Sequence, residues 1–298
     1  MSGDAGAGVW QADRVSSDEG VPDGDPGWTW DPSLYRGSAE YYAIGRAAYP
    51  GEIAEVLRAE LDLDGSGRLL DVGCGPGSLT LLLAPLFAEA IGVDPDADML
   101  AVAGRLAAER QVPNVGWRRL RGEELPADLP RIRVATFAQS FHWMDRPRVA
   151  RAVRGMLDDG GALVHVSATT HRGVDTDLEL PHPQPPYPEI ATLVQRYLGT
   201  RPRAGQGVRT SGPTGGEDAI YRAAGFTGGR QVEVPGRLVD RTTDQIAAST
   251  YSLSSSAPHL FGDRLDAFDA DLRRLLAAAS PSGRYSEQLD SIRLHLWR

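Results

Sequence analysis

A chain of 298 residues with 41% hydrophobic and 7% aromatic content can bury a sizeable core, and one elaborated α/β domain can absorb that length. A formal charge of -9 opposes binding to polyanions, because nucleic-acid recognition normally starts from a basic face. Cys74 is the single cysteine, which rules out an internal disulfide or a thiolate metal cluster; no apolar run approaches the roughly 20 residues of a membrane span, and no basic stretch followed by an apolar one opens the chain, so a cytoplasmic protein without membrane contact is expected.

Residues 1–33 read as an acidic arm. Asp4, Asp13, Asp18, Glu19, Asp23 and Asp25 stand among glycines, too polar to bury a core, with Trp28 and Trp30 near the end. The pattern then alternates. Residues 68–72 are a short β-prone run, 79–87 are helical and 90–93 are again a strand. Residues 96–110 show helical spacing through Met99, Leu100, Val102 and Leu106, and 115–120 and 132–137 read as further strands. A helix over 146–157 and a strand over 162–167, separated by a Gly160-Gly161 turn, complete the series. Such alternation predicts a parallel doubly wound sheet.

Residues 169–216 interrupt the rhythm, with Pro181, Pro183, Pro185, Pro186 and Pro188 crowding one stretch and Gly205, Gly207, Gly212, Gly215 and Gly216 another. A helix fits 190–198 between them. An insertion of this length after a fifth strand is expected to cover a site, so it is assigned as a lid. Beyond it lie predicted helices at 217–224, 243–252 and 262–278, and strands at 231–234 and 292–297. The expected organisation is an arm over 1–33, a main domain over 34–168 and 217–298, and the lid over 169–216.

The strongest signal is Leu69-Leu70-Asp71-Val72-Gly73-Cys74-Gly75-Pro76-Gly77-Ser78-Leu79-Thr80, where a first strand turns into a first helix. Glycines there let backbone approach a ligand. A dinucleotide fingerprint needs glycine at the first, third and sixth positions, but counting from Gly73 the sixth is Ser78 and glycine falls at the fifth. A phosphate-binding loop needs a lysine, and the chain has none. The plain alternative is a tight strand-to-helix turn. Asp94 ends the second strand, where a doubly wound fold puts an acidic side chain in reach of ribose hydroxyls; its alternative role is capping the next helix, a duty Asp98 could share.

These residues resemble the class I S-adenosylmethionine-dependent methyltransferases, in particular the small-molecule, type 11-like group whose loop reads Asp-Val-Gly-Cys-Gly-x-Gly, over residues 35–167. The resemblance implies a Rossmann-like, doubly wound, seven-stranded methyltransferase sheet with a lid insertion after the fifth strand, and S-adenosyl-L-methionine as cofactor. It implies that Asp71, Gly73, Cys74, Gly75 and Gly77 hold the amino-acid end, Asp94 and Pro95 the ribose, and Met99 the adenine face. Arg121 stands where the family commonly has Asp, so the adenine edge passes to Gly122 and Glu123. After the fourth strand, Ala138-Gln139-Ser140-Phe141-His142-Trp143 resembles the segment whose backbone, at Ala138 and Gln139, passes the methionine portion, with Phe141 and Trp143 toward the substrate. His142 is the candidate proton acceptor, its alternative a hydrogen-bonded wall residue. Upstream, Tyr41-Tyr42-x-x-Gly45-Arg46-x-x-Tyr49-Pro50 resembles a helix that closes over the cofactor, with Arg46 on its carboxylate and Tyr42 nearby, or else is an amphipathic surface helix. Tyr251 is a candidate substrate contact.

The implied function is methyl transfer to an O, N or C atom of a small molecule, plausible in secondary metabolism. The alternatives are a non-catalytic cofactor binder of the same fold and a nucleotide-dependent oxidoreductase. The six histidines show no ligand spacing, so no metal is expected.

Overall fold

The computed structural model describes residues 31–200, 203–204, 207–208 and 216–298; the arm over 1–30, with Trp28 and Trp30, and most of the glycine-rich end of the insertion lie outside the described residues. Apolar runs bounded by glycine-containing turns become the strands. They are β1 (Arg68–Val72), β2 (Glu89–Asp94), β3 (Val115–Arg119), β4 (Ile132–Ala138), β5 (Leu157–Ser167), β6 (Gly228–Val234) and, last in the chain, β9 (Ile292–Trp297). They form one seven-stranded sheet in the order β3-β2-β1-β4-β5-β9-β6. The first five pair in parallel, and β9 runs antiparallel to both β5 and β6.

Parallel neighbours need crossovers, and α3 (Ser78–Leu83) and α4 (Ala97–Glu109) link β1, β2 and β3, while α5 (Arg146–Met156) links β4 to β5. Successive side chains of each strand point to opposite faces, so Leu70, Val72 and Phe137 pack beneath α5 and α7 (Glu217–Ala223) with Trp297, while Leu69, Val134 and Val164 pack against α3 and α2 (Glu52–Leu61). Both faces are covered.

Several boundaries differ from the sequence expectation, and two of them have a local cause. The helix over 79–87 stops at Leu83, where Pro85 lies in a single 3-10 turn over Ala84–Leu86. Gly160-Gly161 lies within β5, which starts at Leu157 and takes up a register shift against β4.

A second layer sits over one end of the sheet. It contains α6 (Tyr187–Leu198), β7 (Leu238–Thr242), α8 (Thr243–Tyr251), α9 (Leu265–Ala279) and β8 (Arg284–Gln288), with β7 and β8 paired as an antiparallel ribbon. The apolar stripe of α6, Ile190, Leu193 and Leu198, is buried against Ile246, Tyr251, Phe268, Leu272 and Leu276. A lone helix with such a stripe cannot stay folded in water, so the insertion is completed by chain some fifty residues later. The cap therefore draws on 238–288 as well as on the α6 part of the insertion, Tyr187–Leu198.

The short α1 (Ala39–Gly45) ties this cap to the sheet. A Cβ built on Gly45 would lie 2.2 Å from the Ser249 amide nitrogen and 2.4 Å from the Ala248 carbonyl carbon, so backbone meets backbone where α1 ends on α8. Beside that contact, Arg241 and Glu287 form an ion pair at 3.1 Å with residue exposures of 5% and 2%. Gly45→Ala is expected to destabilise the protein by about 1–3 kcal/mol, the cost of overpacking, because the obstructing atoms are backbone; urea unfolding of the variant measures it.

Candidate functional site

The carboxyl ends of β1, β2 and β4 open into a cleft, the kind of concave site in which small molecules bind. Its floor is the loop after β1. The amides of Gly73 and Cys74 both donate to the carbonyl of Val93, at 2.8 and 3.0 Å, hooking the loop onto the end of β2. Gly75 then turns with φ +54° and its amide donates to Asp94 Oδ2 at 2.9 Å, while a Cβ there would meet nothing within 4 Å. Glycine serves the left-handed turn, and the space beside it belongs to the cleft.

Asp94 is 8% exposed. Its Oδ1 accepts from the Asp96 amide at 2.9 Å, so each oxygen holds one backbone donor and keeps a lone pair. Burial pushes its carboxyl up to about 6, with the two amides pulling the other way. The head of α4 is capped by Asp96, whose side chain accepts from the amides of Asp98 and Met99, so Asp94 does not cap that helix directly. Asp71, 1% exposed, accepts from Thr80 Oγ1 at 2.6 Å and Thr136 Oγ1 at 2.8 Å, bracing β1 against α3 and β4. Burial also raises its carboxyl, and the two hydroxyls oppose that shift.

The opposite wall comes from α1 and the turn before it. Tyr35 packs edge-on against both Tyr42 and Trp143, each at 6.3 Å between ring centroids. The Arg46 guanidinium carbon lies 4.4 Å over the Tyr42 ring. Its nitrogens donate to Ser252 Oγ at 2.8 Å, the Ser252 carbonyl at 3.1 Å and Thr170 Oγ1 at 3.5 Å, all neutral acceptors. A guanidinium facing a cleft whose hydrogen-bond partners among the described residues are all neutral attracts an anion, and its fork matches a carboxylate.

At the far end Met99, Pro95, Gly122 and Glu123 line the cleft. Glu123 also accepts from the Asp145 amide at 2.8 Å, anchoring the loop after β4. Arg121, which lines the mouth, pairs with Glu124 at 3.3 Å. Ala138 and Gln139 line the middle; Gln139 takes φ +60°, an uncommon conformation for a side-chain-bearing residue, beside Ser140, whose hydroxyl donates to the Val72 carbonyl at 2.6 Å.

The cleft thus gathers Tyr42, Arg46, Asp71, Gly73, Cys74, Gly75, Asp94, Pro95, Met99, Gly122, Glu123, Ala138, Gln139 and Trp143. Four sequence-selected residues are not in its lining. Gly77, φ +77°, would bring a Cβ to 2.5 Å from the Trp117 ring, so it serves helix packing. Phe141 is 1% exposed, packs tilted against Phe137 at 4.6 Å and stacks on Tyr221 at 5.0 Å, which makes it core. Tyr251 is buried in the cap, its hydroxyl donating to Asp269 at 3.0 Å. His142 lies against Trp143 with ring centroids 4.7 Å apart. Gly77, Phe141 and His142 lie between cleft-lining residues in the sequence, but side-chain direction decides what each touches.

Tyr35, Tyr49, Ser140, Met144 and Thr170 line it without having been selected. Tyr49 was within the Tyr49-Pro50 pattern, whereas Tyr35 and Thr170 carry no local signal. Among the described residues no group of three or more His, Cys, Asp or Glu could hold a metal, and no helix is long and apolar enough to cross a membrane.

Known methyltransferases are similar to this chain. Residues 69–161 match the methyltransferase domain family. An uncharacterised methyltransferase of Mycobacterium tuberculosis is 35% identical over 134 residues, 45% of this chain and 51% of the relative. A probable S-adenosylmethionine-dependent methyltransferase of Saccharomyces cerevisiae is 32% identical over 127 residues, 42% of this chain and 43% of the relative. The chain spans about half the length of the curated relatives it matches. The crystal structure of YcgJ from Bacillus subtilis superposes with a TM-score of 0.46 at 18% identity, over 83% of this chain and 98% of that one. The division between wall and core is checked by unfolding: Phe141→Ala is expected to cost about 3–5 kcal/mol, as for a buried aromatic, and Trp143→Ala clearly less.

Proposed function

We propose that the chain transfers the methyl group of S-adenosyl-L-methionine to an O, N or C atom of a small organic molecule, in secondary metabolism, a reading supported by the match of residues 69–161 to the methyltransferase domain family. The observation that carries the reading is the pairing of opposite charges across one cleft: the Arg46 cation with neutral partners at one end and the half-satisfied Asp94 carboxylate at the other, over the glycine loop.

The residues present fit the cofactor. Arg46 would take its carboxylate, Gly73 to Gly75 would let its amino-acid end lie against backbone, and Asp94 would accept from the ribose hydroxyls. Met99 would face the adenine, with Gly122 and Glu123 at its edge and Pro95 beside the ribose. When bound, the cofactor supplies a sulfonium-activated methyl group. The protein's part is to align and to exclude water: Tyr35, Tyr42 and Trp143 close one wall, and the cap, with the 169–216 insertion acting together with α8 and α9, shields the acceptor end. His142 remains the candidate proton acceptor of this reading, acting beside the cleft wall. The acidic charge balance and the concave cleft support a small acceptor rather than a nucleic acid, and the single cysteine supports a reducing, cytoplasmic setting.

Isothermal titration tests the reading: S-adenosylhomocysteine should bind and NAD should not, and tight NAD binding would overturn it. Hydroxyl donors favour the ionised form of Asp94, whose carboxyl lies at about 6 in the free protein. Affinity for S-adenosylhomocysteine should therefore be flat above neutrality and fall as pH drops through that value. Asp94→Asn should weaken binding by about 1.5–3 kcal/mol at pH 8 and flatten the profile, the worth of hydrogen bonds to a charged group.

A further inference from the structure

We infer that Arg241 is a positioning residue for the cofactor carboxylate: from beneath the cleft its guanidinium holds the backbone that aims Arg46. The inference rests on the reading that the cleft binds S-adenosylmethionine, and concerns a part of the chain far outside the matched domain.

Arg46 is the first residue beyond α1, leaving the helix with φ -88° and ψ 135°. Its direction therefore follows from where the Gly45 peptide is held. That peptide's carbonyl accepts from Arg241 Nη2, which also donates to the Gln245 carbonyl of α8 at 3.0 Å. Arg241 Nη1 donates to the His171 carbonyl at 3.4 Å and to Glu287 Oε2 at 3.1 Å. His171 follows Thr170, whose hydroxyl accepts from Arg46 at 3.5 Å and whose carbonyl accepts from the Ala47 amide at 2.7 Å. The two strips of chain that flank Arg46, Gly45–Ala47 and Thr170–His171, are thus stitched to each other above and to one guanidinium below.

Glu287 makes burial of that cation tolerable and extends the brace: its Oε1 accepts from the Gly173 amide and the Tyr187 hydroxyl, both at 2.6 Å. Ser249 Oγ donates to the same His171 carbonyl at 2.5 Å. Three carbonyls from separate segments and one carboxylate surround Arg241, an arrangement that suits a planar fork of five donors and not a compact ammonium with three. Arg241 itself is absent from the cleft lining, so any effect it has on a ligand passes through Arg46 and its neighbours.

The test titrates the full chain with S-adenosylhomocysteine and with 5′-methylthioadenosine, which shares the nucleoside but lacks the amino-acid carboxylate. Arg241→Lys is expected to weaken S-adenosylhomocysteine about tenfold, as a misplaced charge-assisted contact would, and to leave 5′-methylthioadenosine within about twofold. Ser249→Ala, a small change that removes one hydroxyl from the His171 carbonyl, should weaken the first ligand to a lesser degree with the same selectivity, and serves if the arginine variant does not fold. Parallel loss of both ligands in either folded variant would make the network merely structural and overturn the inference, as would unchanged affinity for both. Failure of the unaltered chain to bind either ligand would instead overturn the methyltransferase reading, and this inference with it.

Discussion

The Asp94 carboxylate joins the two loops on which the cleft depends. Taken almost out of water at the end of β2, it accepts one amide from the glycine loop and one from the head of α4. Those bonds set the spacing between the loop that follows β1 and the helix that follows β2. A buried carboxylate with a single donor on each oxygen is under-solvated, which is why its proton affinity rises. The same shortage makes it a good acceptor for a diol. On the proposed reading structure and ligand recognition draw on one group, and the cost of burying it is offset most fully when a donor-rich ligand arrives.

Arg241 and Glu287 solve a different problem. The cap is assembled from pieces far apart in the chain, and its apolar cluster orients helices only loosely against one another. The buried ion pair adds direction, because a guanidinium's donors lie in one plane and each must find its acceptor. Breaking such a pair by removing one partner leaves an uncompensated charge, typically costing about 3–5 kcal/mol, so the arrangement is held rigidly even though it contributes modestly to net stability. Its rigidity is delivered at Gly45 and His171, the neighbours of two cleft-lining residues.

The cleft consequently has walls of unequal origin. The floor, from β1, β2 and β4, belongs to the doubly wound sheet, where ligands lie beyond the carboxyl ends of the strands. The roof comes from α1, the 31–38 turn and the cap, and it brings the aromatic rings of Tyr35 and Tyr42 toward Trp143. An acceptor specificity set by the roof can vary while the floor stays the same, which is the usual division between scaffold and loops.

Local pattern was enough for the floor. The five parallel strands, the glycine spacing that excludes a dinucleotide fingerprint, and the acidic residue closing β2 are read within windows of about a dozen residues, because strand period and turn chemistry are short-range properties. The strands β7 and β8 were not legible, since Leu238–Thr242 and Arg284–Gln288 mix charged and apolar residues and owe their pairing to each other across more than forty positions. Nor could the sequence distinguish Phe141 from Trp143, two residues apart in one 3-10 turn, of which one enters the core and the other the cleft. Arg241 reads locally as one more exposed arginine of a polar strand. Only folding brings Gly45, His171, Gln245 and Glu287 around it, because the acceptors that give it a role are up to 196 residues away along the chain.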